Sequence, residues 1–127
     1  KAITDKTIAR DLFFGGVEND TPSDEDIERY QSYFKRDTVA TIDLSDLAKK
    51  LPSAKACSGR ALFVDRLPPS LVIAAREDFI VDEEGSIETS RYLGLDGPAV
   101  VDSPHDIMLG DKWNNGATAI LEWIEKL

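Results

Sequence analysis

The chain has 127 residues, of which 42% are hydrophobic and 31% are charged, a balance typical of a folded domain rather than a disordered one. Its formal net charge of −9 disfavours binding to nucleic acids and to anionic membranes, because both carry negative charge. The single cysteine excludes a disulfide within the chain. Because the chain also has only one histidine, a transition-metal site is disfavoured.

No apolar stretch approaches the roughly 20 residues that a transmembrane helix needs, and the chain does not open with a signal-peptide pattern. We therefore expect a soluble intracellular protein without a transmembrane segment, a cofactor or a bound metal. Because the first residue is Lys1 rather than Met, we also expect a processed or partial chain.

Residues 1–52 are predicted to form a helical region. Apolar residues at near-helical spacing predict a first helix that is stopped by the glycines at positions 15 and 16. Ser23 is the predicted N-cap of a second helix, because three acidic residues follow it in the first turn, where the helix dipole favours negative charge. A short third helix is predicted over residues 44–51.

Residues 53–69 are predicted to be an irregular connector, since serine, proline and glycine punctuate them. Residues 70–127 are predicted to form a β–α–β–α unit. Its short apolar strands, residues 71–75 and 98–101, are typical of parallel strands that are buried on both faces and joined by a crossover helix.

The two helices of this unit have recognisable ends. The first is predicted over residues 83–93 and is closed by Gly94, which is suited to the left-handed conformation after a helix. The second is predicted to be capped by Asn114 or Asn115. Its apolar side comprises Ala117, Ile120, Leu121, Ile124 and Leu127, and Trp113 and Trp123 are expected to pack this helix against the sheet.

Two side chains that could act together follow the predicted strands. Asp78 comes after the first strand and His105 after the second. Because functional groups gather past the carboxyl ends of parallel strands, the two are expected at one edge of the sheet. A carboxylate that holds one imidazole nitrogen fixes the tautomer and leaves the other nitrogen free to accept a proton. The order acid then histidine also fits the triad of an α/β-hydrolase.

Spacing alone leaves other interpretations open. A lone histidine after a strand is commonly a surface or packing residue, and an aspartate there commonly caps a helix or forms a turn. Three nearby carboxylates compete with Asp78 for the same role, namely Asp82, Asp102 and Asp106.

Residues 71–82 resemble the acid-bearing segment of α/β-hydrolases, in which an apolar strand leads to Asp, any residue and an Ile-Val pair. Residues 103–109, Ser-Pro-His-Asp-Ile-Met-Leu, resemble the histidine segment. The chain is most similar to lysophospholipase-like hydrolases of the plant and algal type. The resemblance implies an α/β fold, the C-terminal part of an α/β-hydrolase core preceded by a helical cap. It also implies that Asp78 is the triad acid and His105 the general base.

The resemblance is strong over residues 71–127, weaker over 11–52 and poor over 53–69. Ala74 stands where that strand often has a glycine. The nucleophile of the family sits in a Gly-x-Ser-x-Gly turn, and the chain contains no such pentapeptide. Ser103, which precedes the histidine, is poorly placed to replace it.

Two hypotheses follow. In the first, these residues supply the Asp and His of a serine hydrolase that acts on a small ester or lipid-like substrate, and the nucleophile lies outside the chain. The resemblance to plant and algal proteins makes a plastid location plausible. In the second, the chain is a non-catalytic, hydrolase-like structural or interaction subunit, and a protein partner covers the open edge of its sheet.

Overall fold

The computed structural model describes residues 1–16, 22–38 and 59–127. The predicted helix over residues 44–51 lies outside these ranges. Within them the elements are, in chain order, α1 (Lys6–Phe13), α2 (Asp24–Asp37), a 3₁₀ turn (Val64–Arg66), β1 (Ile73–Glu77), α3 (Glu83–Tyr92), β2 (Ala99–Pro104) and α4 (Trp113–Ile124).

Helices α1 and α2 form a small pair with its own apolar core. The Asp5 side chain caps α1 by accepting a hydrogen bond from the Ile8 N–H at 3.1 Å, and positive φ angles of +79° and +82° at Gly15 and Gly16 follow its end. Ser23 caps α2, as the sequence predicts, because its Oγ accepts the Asp26 N–H at 3.1 Å. The core of the pair consists of Ala9, Phe14, Ile27 and Tyr30, with Phe13, Phe34 and Leu109 packed against it.

Strands β1 and β2 lie side by side and run parallel, which confirms the predicted arrangement. The register pairs Ile73 with Ala99 and Ala75 with Val101, and an irregularity precedes the last pair, Glu77 with Pro104. The predicted strand limits were wrong, because both strands run past the apolar residues into polar ones. Backbone hydrogen bonds continue the ladder irrespective of side-chain polarity, so the two strands end nearer to Asp78 and His105 than expected.

The prediction that both faces of the strands are buried was also wrong for the part of the chain that the structure describes. On β1 only Ala74 is buried, and on β2 Val101 is buried whereas Val100 is 48% exposed. Two strands with few helices against them cannot enclose both faces of a sheet.

Helix α3 ends as the sequence predicts. The Gly94 N–H donates to the Arg91 carbonyl and the Leu95 N–H to the Ser90 carbonyl, the two bonds of a Schellman motif. Gly94 has a φ of +76°. A side chain would be strained there by the backbone, and a Cβ would lie only 2.5 Å from Nη2 of Arg60.

Helix α4 differs from the prediction in two respects. Its N-cap is Lys112, which makes no capping hydrogen bond, and Asn115 instead donates its side-chain N–H to the Asp102 carbonyl at 2.7 Å. Gly116 is buried and lies against Ile107, since a Cβ on Gly116 would be 3.1 Å from the Ile107 carbonyl oxygen. The second difference is that several apolar side chains are exposed, namely Trp113, Ile120, Leu121, Ile124 and, beyond the end of the helix, Leu127.

The described residues thus combine helices with a small parallel sheet, an arrangement compatible with the α/β class. None of the helices in the described ranges is long and apolar enough to cross a membrane.

Candidate active site

Asp78 is held in a tight turn directly after β1. Its Oδ1 accepts hydrogen bonds from the backbone N–H groups of Ile80 at 2.8 Å and Val81 at 2.9 Å. An aspartate that binds the N–H groups two and three residues ahead fixes the local turn and its own side-chain rotamer. These two hydrogen bonds hold the carboxylate in place. The Asp78 side chain is 11% exposed, so the carboxylate is also largely shielded from water.

His105 follows Pro104, the last residue of β2, and faces this carboxylate. Its Nδ1 lies 2.8 Å from Oδ1 and 2.9 Å from Oδ2 of Asp78. The contact arises because neighbouring parallel strands bring their carboxyl ends to one edge of the sheet, as expected from the sequence. Within the described ranges, no residue forms a hydrogen bond with Nε2 of the ring. The His105 side chain is 29% exposed.

Opposing effects act on the carboxyl group of Asp78. Burial raises its pKa, but the hydrogen bonds from the Val81 N–H, from His105 and from the Ile80 N–H, together with the charge of His105, outweigh this. The pKa of Asp78 is therefore lowered from its ordinary value of 3.8, and the group is ionised at neutral pH. A stable carboxylate is what an imidazole needs beside it when the ring becomes positively charged.

The three competing carboxylates have other structural partners. Asp82 caps α3 by accepting the Gly85 N–H at 2.7 Å, and Asp106 accepts the N–H groups of two residues that follow it. Asp102 lies 3.5 Å from Nζ of Lys112. Each of the three thus fits the capping or surface role that is common for an aspartate, and Asp78 alone among them is paired with His105.

Helix α1 contributes a contact with the imidazole that the sequence did not indicate. The ring of Phe13 lies 5.8 Å from that of His105, centroid to centroid, and the planes are inclined by 39°. The carbonyl of Phe13 also accepts a hydrogen bond from the Asp106 N–H at 3.0 Å. Phe13 is one of the apolar residues whose spacing predicts the first helix, but no local pattern indicates a contact between such distant positions.

A solvent-open cleft of about 490 Å³ lies beside Asp78 and is lined by Gly15, Glu77, Asp78 and Phe79. Ser103 is not among the residues that line this cleft, and it is only 1% exposed. Its Oγ is buried without a hydrogen-bond partner in the described part of the chain. No group of His, Cys, Asp and Glu in the described ranges has an arrangement that could hold a metal ion.

Chemically, the pair can hold one imidazole tautomer and accept a proton at Nε2. No protein-family model, curated protein or solved structure matches the chain. The interpretation of the pair therefore depends on its geometry and on the chemistry of its two side chains.

Proposed function

We propose that these residues form the C-terminal part of an α/β-hydrolase and supply the acid and base of a serine hydrolase triad, with the nucleophile outside the 127 residues. The observation that supports the proposal most is the contact of Nδ1 of His105 with both oxygens of an ionised Asp78. This leaves Nε2 as the basic atom of the ring.

In the proposed reaction, Nε2 of His105 accepts the proton of a serine hydroxyl as that oxygen attacks the carbonyl carbon of an ester. Asp78 stabilises the imidazolium that forms. His105 then gives the proton to the departing alcohol oxygen, and an acyl-serine remains. Water attacks this acyl group in the same manner, its proton passes through Nε2 to the serine oxygen, and the acid is released. The donors that stabilise the oxyanion lie outside the chain, like the serine.

The experiment is to treat the full-length protein that contains these residues with a fluorophosphonate probe and to locate the modified residue by mass spectrometry. We expect one serine outside the 127 residues to be labelled, and labelling to be lost in His105→Ala. Asp82→Asn is the matched control, because asparagine also caps helices and Asp82 does not contact the imidazole. Absence of any labelled serine in the full-length protein, or equal labelling of His105→Ala, would overturn the proposal.

A second candidate is a non-catalytic structural or interaction subunit whose protein partner covers the open edge of the sheet. It is favoured by exposed apolar side chains on β2 and on α4, including Val100 at 48% and Leu121 at 61%, because exposed apolar surface is typical of sites that bind a partner. Light scattering of the 127-residue chain tests it. Self-association or a stable complex is expected if this function is correct, and a stable lone monomer counts against it.

A further inference from the structure

The imidazole of His105 is held from two sides. On one side Asp78 binds Nδ1, which limits where that nitrogen can lie. A hydrogen bond at one ring atom still permits the ring to tilt about it. The ring of Phe13, with its centroid 5.8 Å away, is the second contact and restricts that tilt.

Phe13 is itself fixed by aromatic neighbours. Its ring centroid lies 5.3 Å from that of Phe34 and 6.4 Å from that of Phe14, a residue that is 3% exposed. Closely packed aromatic side chains have few alternative rotamers, so the Phe13 ring that contacts the imidazole has little freedom to move.

The loop that carries His105 is tied to the same helices through its backbone. The Asp106 N–H donates to the Phe13 carbonyl at 3.0 Å, and the Asp106 carboxylate accepts the N–H groups of Met108 and Leu109. The side chain of Leu109 packs against the core of α1 and α2. The Gly110 N–H lies 3.4 Å from Oη of Tyr30. The position of His105 is thereby coupled to α1 and α2 as well as to the sheet.

We infer that Phe13 is a positioning residue for His105: its ring sets the plane of the imidazole so that Nε2 is directed toward the nucleophile. This inference rests on the proposed function for its catalytic consequence. The ordinary alternative is that Phe13 contributes only to the core of the helical pair, and in that case any comparable loss of core packing would have the same effect.

Two substitutions separate these readings. Phe13→Leu removes the ring that faces His105 and keeps an apolar side chain. Phe34→Leu, the matched control, removes a ring that contacts Phe13 but has no described contact with the imidazole. Phe13→Tyr keeps the ring and serves as the conservative rescue. All three are first measured by NMR in the 127-residue chain, where His105 is the only histidine and gives the only imidazole signals.

We expect Phe13→Leu to move and broaden the imidazole C–H resonances, because the adjacent aromatic ring current and the restraint on ring motion are both lost. Phe34→Leu should disturb these signals less than Phe13→Leu does, because it loosens Phe13 but leaves the Phe13 ring beside the imidazole. Phe13→Tyr should leave them near their original positions. Equal disturbance by Phe13→Leu and Phe34→Leu, or no disturbance by Phe13→Leu, would overturn the inference.

The second arm uses the full-length protein and ester turnover. Phe13→Leu should lower kcat by roughly 10-fold to 100-fold with little change in KM, since small misplacement of a catalytic group has effects of this size. Phe34→Leu should change kcat by only a few-fold, and Phe13→Tyr should restore it. A rise in KM at constant kcat would contradict positioning. If the unmutated protein neither turns over esters nor reacts with the probe, the proposed function fails while the NMR arm still decides the role of Phe13.

Discussion

The carboxylate of Asp78 faces Nδ1 of His105 with both oxygens, at 2.8 and 2.9 Å, and is itself held by two backbone N–H groups. Each residue emerges from the end of one of two neighbouring parallel strands. The sheet therefore determines the contact, and the turn after β1 determines the orientation of the carboxylate. Such preorganisation is what a proton-transferring pair requires, because no side chain has to be rearranged during the reaction.

Asp78→Asn should remove the charge while keeping the turn, since Oδ1 of asparagine can still accept the N–H groups of Ile80 and Val81. In the full-length protein we expect kcat for ester hydrolysis to fall by about 10⁴-fold, as in the well-characterised serine protease triad. Asp82→Asn should leave kcat within a few-fold. Steady-state kinetics of both variants make the comparison, and an Asp78→Asn enzyme with nearly full activity would show that Asp78 is not the triad acid.

The free energy of unfolding of the chain should depend on pH in the acid range because of Asp78. The pKa of Asp78 in the folded chain is lower than its ordinary value of 3.8, so the unfolded chain binds this proton first as the pH falls. The stabilisation is therefore complete above about pH 3.8 and is lost as the pH falls through the lower folded value. In urea unfolding, the free-energy difference between the unmutated chain and Asp78→Asn should shrink over this acid range. A difference that is constant or grows with acid would contradict this sign.

Gly94→Ala should destabilise the chain by about 1–2 kcal/mol, because a non-glycine residue is strained in the left-handed region. The steric conflict with Arg60 and Val64 adds to this. Gly97→Ala is the control, since its Cβ would have nothing within 4 Å and its φ is not positive. Urea unfolding of both variants tests the expectation, which fails if Gly94→Ala is as stable as Gly97→Ala.

The exposed side of α4 should tolerate polar residues. Leu121 is 61% exposed, so Leu121→Gln should change the free energy of unfolding by no more than about 0.5 kcal/mol. If the second candidate function is correct, Leu121→Gln should also reduce self-association. Ile27 is fully buried, and Ile27→Ala should cost about 2–5 kcal/mol. Urea unfolding of both variants and light scattering of Leu121→Gln test these two expectations. A large loss of stability from Leu121→Gln would mean that the side of α4 is buried in solution.

The sequence predicted those features that depend on local chemistry. The cap at Ser23 and the end of α3 at Gly94 follow from residue types within a few positions of each other. The parallel pairing of two short strands follows from the order strand, helix, strand. The proximity of Asp78 and His105 followed as well, because strand order places both at one sheet edge.

The features that were predicted wrongly or missed depend on distant parts of the chain. Burial of the strands and of the apolar side of α4 depends on what packs against them, which periodicity does not specify. Asn115 binds the Asp102 carbonyl of β2 instead of capping α4, a choice that only the tertiary structure makes available. The contact of Phe13 with His105 has the same origin.

The most direct test of the Asp78–His105 pair is the ¹⁵N NMR spectrum of the imidazole in the 127-residue chain, in which His105 is the sole histidine. With the ring neutral, the proton should reside on Nδ1, where Asp78 accepts it, and Nε2 should be unprotonated. In Asp78→Asn this preference should be weakened or reversed. A neutral ring that carries its proton on Nε2 in the unmutated chain would contradict the proposed role of His105 as a base.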